Sequence, residues 1–233
     1  MWKPPRERPS GSSRGVVRWV LMVTLGEAVG FSVPAITGVA VTGASWGRSA
    51  TFVAMVLAGS VEGALLGIAQ ADCLYRWAVL PTRRRWIIAT SVGAAVAWSL
   101  GMLPSTIGLH PTARIVIMVG IGGLLLLTSL PLAQYFVLRD HVRRPLLWIP
   151  INLAAWLLGI TWTLLPSPFV DQSTATAVLI VIYGIAGICM AATAAVITGL
   201  GLIRLLLPPI DVAHRAQPDQ VRRVNGSVGA QVE

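Results

Sequence analysis

The stretch ATAVLIVIYGIAGICMAATAAVITGLGLI, residues 175–203, carries no charged side chain. At a 1.5 Å rise per residue, a helix of about 20 residues crosses a hydrocarbon core of roughly 30 Å, so this run is long enough to span a bilayer. Outward from it, five more runs of the same kind occupy residues 16–44, 50–71, 86–103, 115–138 and 146–165. They are rich in Ala, Leu and Gly and lack strand-type alternation, which favours helices over a membrane barrel. The sequence therefore predicts an all-α, polytopic membrane protein with six transmembrane helices.

The whole chain agrees with its runs. Of 233 residues, 55% are hydrophobic and 12% are charged, where soluble domains carry about 25% charged residues. The first run exceeds the apolar region of a signal peptide, about 7 to 15 residues, and Glu27 interrupts it, so it is expected to stay as a helix. A basic segment, residues 1–15, precedes a transmembrane domain over 16–207. The polar tail 208–233 lacks apolar periodicity and is expected to be disordered.

A net charge of +9 would suggest nucleic acid in a soluble protein, but topology accounts for it. Sixteen of the eighteen basic residues lie before or at the start of the first run or after the second, fourth and sixth; Arg48 and Arg114 alone fall on the other side. The positive-inside rule then places both termini in the cytoplasm of a cell-membrane protein. The same arginines would attract anionic lipid headgroups of the inner leaflet. Trp19, Trp77, Trp86 and Trp148 are expected as an inner aromatic belt, and Trp46, Trp98 and Trp162 as an outer one.

The runs also resemble one another. Gln70, Gln134 and Thr198 follow a period of 64 residues, as do Gly59, Gly123 and Gly187, and Leu74, Leu138 and Leu202. Trp19-Gly26-Gly30 matches Trp86-Gly93-Ala97 and Trp148-Ala155-Gly159. The pattern predicts three parallel helical-hairpin repeats. Gly59, Gly63 and Gly67 form a small-residue stripe suited to close helix contact, within the chain or in a homo-oligomer, and Gly26 and Gly30 extend the same device to the first helix.

In its Trp19-Gly26-Glu27-Gly30, Gly63-Gly67-Gln70, Trp86-Gly93 and Gln134-Leu138-Arg139 motifs, the chain resembles a loose group of uncharacterised bacterial multi-pass membrane proteins. The resemblance covers most of residues 16–204 and implies a bacterial membrane architecture, without implying an activity.

Polar groups inside the slab carry what chemistry the sequence offers. Glu27 lies about 16 Å into the first run and Glu62 about 14 Å into the second, which puts two carboxyls near mid-membrane on adjacent helices. A charged group there costs at least about 2.5 to 3.5 kcal/mol, so such residues are paired, protonated or turned to a polar cavity. If they meet, the pair is expected to share a proton and to bind a proton or small cation. Gln70, Gln134 and Asn152 sit near the cytoplasmic ends of their helices as interhelical hydrogen-bonding groups. Pro34 and Pro131 would kink their helices, and the first is expected to unwind just beyond Glu27.

Gly43-Ala44-Ser45-Trp46-Gly47 spells the nucleophile-elbow string, with His110 and Asp171 on the same side, but it joins two apolar runs where that motif needs a strand and a helix. The three histidines are dispersed and suggest no metal, no cofactor motif is present, and Cys73 and Cys189 differ in depth and are expected to remain free. The sequence thus points to transport of a proton or small solute through mid-membrane carboxyls, with a non-catalytic scaffold or accessory subunit as the alternative.

Overall fold

The computed structural model describes residues 13–77, 79–80, 82–142, 144–171 and 173–202. Most of the basic segment 1–15 and all of the tail 208–233 lie outside these residues. Among the described residues the chain is helical and without strands: α1 (Ser13–Gly43), α2 (Arg48–Arg76), α3 (Arg83–Thr106), α4 (Pro111–Val119), α5 (Ile121–Leu138), α6 (Trp148–Leu164) and α7 (Thr176–Gly201), with 3-10 turns at Pro145–Leu147 and Ser167–Phe169. Six helices are long and apolar enough to cross a membrane.

Local chemistry sets the turns between them. Ser45 takes a left-handed φ of 54° in the tight link from α1 to α2. Gly108, at φ +75°, ends α3 in the conformation that glycine adopts without a Cβ penalty. Pro111 opens α4, where its missing N–H costs nothing, and His110 Nδ1 accepts from Thr112 N at 3.4 Å.

The fourth expected span, residues 115–138, is not one helix. Gly120 leaves the helical region at ψ −135°, so α4 and α5 are separate. Gly120, Gly122 and Gly123 stand within four positions, each costing a helix about 1 kcal/mol relative to alanine. The unwinding expected beyond Glu27 does not form either. Helix α1 runs unbroken through buried Pro34, while Ser32 Oγ and Thr37 Oγ1 donate to the Val29 and Val33 carbonyls at 2.6 and 2.8 Å.

The long helices form a ring in chain order, α1, α2, α3, α5, α6, α7, and α7 packs back on α1. Small residues face inward and large ones outward. In α7, Ala186, Ala191, Ala195 and Gly199 are buried, whereas Ile180, Val181 and Ile185 are exposed. An outer surface of this kind suits a hydrocarbon solvent.

One end of the ring is closed. Trp19, Trp86 and Trp148, near the starts of α1, α3 and α6, share a fully buried cluster with Leu74 and Leu138, near the ends of α2 and α5, and Leu202, which follows α7. The hairpins α1–α2, α3–α5 and α6–α7 therefore run in the same direction. Trp19 stacks on Trp77 at 5.6 Å, and Trp86 meets Trp148 edge-on at 6.0 Å. The expected inner aromatic belt is thus corrected: Trp19, Trp86 and Trp148 fill the interior, where polar side chains satisfy their N–H groups, and Trp77 is buried against Trp19. At the edge of the tryptophan end, Asp72 accepts from Arg18 and Arg76 at 2.9 Å each and forms an ion pair with Arg83 at 2.8 Å, tying three helix ends together.

Candidate functional site

The site follows from how closely α1 approaches α2. A Cβ added at Gly26 would stand 2.6 Å from Ala69 Cβ, and one at Gly30 only 3.1 Å from the Glu62 carbonyl oxygen. Glycine at both positions lets the backbones touch, which sets Glu27 and Glu62 side by side facing the ring axis. The same register recurs in the other hairpins. Gly93 meets Leu130 and Ala133, and Gly159 meets Met190, the counterparts of Leu66, Ala69 and Glu62 at the 64-residue period.

The stripe on α2 is filled by α3 of the same chain. Gly59 makes the niche for the Trp98 indole, Gly63 lies against Ala94 with Thr90 O 2.8 Å from an added Cβ, and Gly67 faces Ile87 Cα at 3.1 Å. Gly187, expected to match Gly59, has open space beside it. The next helix of the ring is α1, which has Phe31 at the position that Trp98 holds in α3.

Between the helices lies a cavity of about 230 Å³ to which all six long helices contribute, among them Glu27, Glu62, Trp98, Leu127, Trp156 and Met190. Its lining falls into threes. Glu27, Ala94 and Trp156 each follow the first small residue of their motif, Phe31, Trp98 and Ile160 the second, and Glu62, Leu126 and Met190 share the 64-residue period. The first hairpin alone places acids at these positions.

Glu27 is 4% exposed. Its Oε2 is enclosed and accepts from no N–H or hydroxyl among the described residues, an unpartnered state shared there only with Thr24 Oγ1; the carboxyl beside Glu27 is that of Glu62, which donates only when protonated. Glu62 is better served, since Trp98 Nε1 donates to its Oε2 at 2.7 Å. Buried polar atoms nearly always have a partner, so the free oxygen of Glu27 marks a place prepared for a proton or a donor from outside the chain. Two carboxyls suit a single positive charge, whereas calcium or magnesium takes six or more oxygens.

Toward the tryptophan end the cavity narrows to a space of about 10 Å³ beside Gln70, Asn152 and Thr198, room for no more than one water. A hydrogen-bonded floor closes it. Trp86 Nε1 donates to Gln70 Oε1 at 3.0 Å, Trp148 Nε1 to Gln134 Oε1 at 2.8 Å, and Trp19 Nε1 to Thr198 Oγ1 at 3.2 Å. Gln134 Nε2 adds bonds to Gln70 Oε1 at 2.8 Å and Thr90 Oγ1 at 3.0 Å. Asn152 donates within its own helix, to the Trp148 carbonyl at 2.9 Å. Each hairpin thereby takes the opening Trp of the next, and the third takes that of the first. No family model, curated protein or solved structure matches this chain.

On the far side the cavity meets an open groove along α1 from Phe31 to Gly43, with Phe31 and Trp98 lining both. Access is therefore from the end opposite the tryptophans. The nucleophile-elbow string forms only a turn. Asp171 Oδ1 accepts from Ser173 N and Oγ at 2.9 and 2.6 Å, which hold its carboxyl below the usual range, and His110 caps α4.

Two residues of the site escape sequence reasoning: Trp98, read as an outer-belt residue, and Trp156. Both carried a signal, because Trp98 follows Trp86 by the spacing that Phe31 keeps from Trp19, and Trp156 follows Trp148 by the spacing that Glu27 keeps from Trp19.

Proposed function

We propose that this chain is a multi-pass cell-membrane protein of three parallel hairpin repeats that binds a proton or small cation at Glu27 and Glu62 and carries it across the bilayer. The observation that supports this most is the unpartnered, enclosed Oε2 of Glu27 facing a cavity beside a second acid. Acids this deep in a membrane mark ion pathways unless a partner neutralises them, and no Lys or Arg lines this cavity.

Orientation comes from charge. Arg18, Arg76, Arg83, Arg84 and Arg85 lie at or near the tryptophan end, which the positive-inside rule assigns to the cytoplasm, where they meet anionic headgroups. The groove then opens outward, and transport requires the floor of indoles and amides to part in a second state. The scaffold alternative gains nothing from the α2 stripe, whose glycines are already covered by α3.

The test is flux in proteoliposomes reconstituted with the full chain. Glu27→Gln combined with Glu62→Gln is expected to abolish pH-driven flux while the protein remains monodisperse and helical. Flux unchanged by the double substitution would reject the reading.

A further inference from the structure

We propose that the occupant of this cavity is a small organic ammonium ion whose charge sits between Glu27 and Glu62 and whose apolar body lies against Trp98, Trp156 and Phe31. The inference rests on the cation-binding reading above and names its substrate class.

Size is the first argument. A proton needs no cavity, yet about 230 Å³ stands open beside the acids, room for roughly eight water-sized groups. That is small for a ligand pocket, so it takes a small molecule.

The walls supply the second. Apart from the two carboxyls, the lining side chains offer no oxygen: they are Leu, Ile, Ala, Met, Phe and Trp, with Gly63 between them. A sodium or potassium ion stripped of water needs a cage of several oxygens, which these walls lack. An alkyl or aromatic ammonium brings its own apolar cover, and three aromatic side chains attract it further through their ring quadrupoles. The cationic centre then lies against Glu27 Oε2, which no N–H or hydroxyl of the described residues occupies, in place of a proton shared with Glu62.

The third is the approach. The groove that leads from Phe31 to Gly43 is lined by Pro34, Ala35, Gly38, Val39 and Met55, a path without charge that an amphiphilic cation can follow.

The experiment uses benzyltrimethylammonium with the full chain in lipid nanodiscs, read by calorimetry and by quenching of tryptophan emission. Its carbon isostere, neopentylbenzene, and sodium chloride serve as competitors. The expected result is saturable binding of the ammonium, weakened at least about tenfold by Glu27→Gln with Glu62→Gln and roughly fivefold by Trp156→Leu, with neither competitor displacing it. Absence of saturable binding, binding retained in the double Gln variant, or equal competition by neopentylbenzene would each overturn the inference. The isostere comparison needs no variant and so stands even if a substitution disturbs folding. If the ammonium fails to bind while acid-dependent proton flux persists, the substrate class is wrong and the proton reading survives. If it binds through the acids while proton flux ignores them, the substrate class stands and proton transport falls.

Discussion

Trp98 Nε1 donates to Glu62 Oε2 at 2.7 Å across the α2–α3 contact, in a niche that Gly59 leaves open. The bond divides the labour of the two acids: one is held by the chain, and the other, Glu27, is left with a free oxygen.

That division can be measured by a double-substitution cycle. Trp98→Phe keeps an aromatic ring but removes the N–H, and should cost about 1 to 3 kcal/mol of stability in detergent when Glu62 is present. In a Glu62→Met background the same change should cost only its lost packing. Equal costs in the two backgrounds, by chemical denaturation, would show that the bond contributes nothing.

Close approach makes a second contrast. Gly63→Ala places a methyl against Ala94 and the Thr90 carbonyl, forcing α2 from α3 at a cost of about 1 to 3 kcal/mol. Gly187→Ala meets open space and should gain up to about 1 kcal/mol from helix propensity. Thermal denaturation of the two variants should move in opposite directions; parallel shifts would contradict the packing described.

The floor allows a ranking. Gln134→Leu removes the acceptor of Trp148 and two bonds to Gln70 and Thr90, and should cost about 2 kcal/mol or more. Thr198→Val removes the single acceptor of Trp19 and should cost about 1 kcal/mol. Reversal of that order in unfolding measurements would place the centre of the network elsewhere.

The helices were legible because an apolar run with almost no charge, long enough to span a bilayer, has few alternatives, and five of the six expected runs are each essentially one helix. The fourth breaks because hydropathy does not register the flexibility of Gly120. The acids were legible as isolated charges in apolar runs; their contact was not, because it depends on the register of α1 on α2 that the close approach at Gly26 and Gly30 sets. The indoles were misread for a physical reason. A Trp near the end of a span can face headgroups or turn inward, and spacing along one helix does not say which until a buried acceptor such as Gln70 or Gln134 is placed beside it.

The bond between Trp19 and Thr198 joins side chains 179 positions apart, the first hairpin to the last. Chains are made from the N-terminus onward, so Glu27 and Glu62 are in place on α1 and α2 before α7 exists to complete the wall around them. Until the final helix arrives, the acid pair lies in an unfinished enclosure, open on the flank that α7 will cover. Closure of the ring thus waits on the last helix to be made, and α7 is the piece that completes the enclosure of the acids.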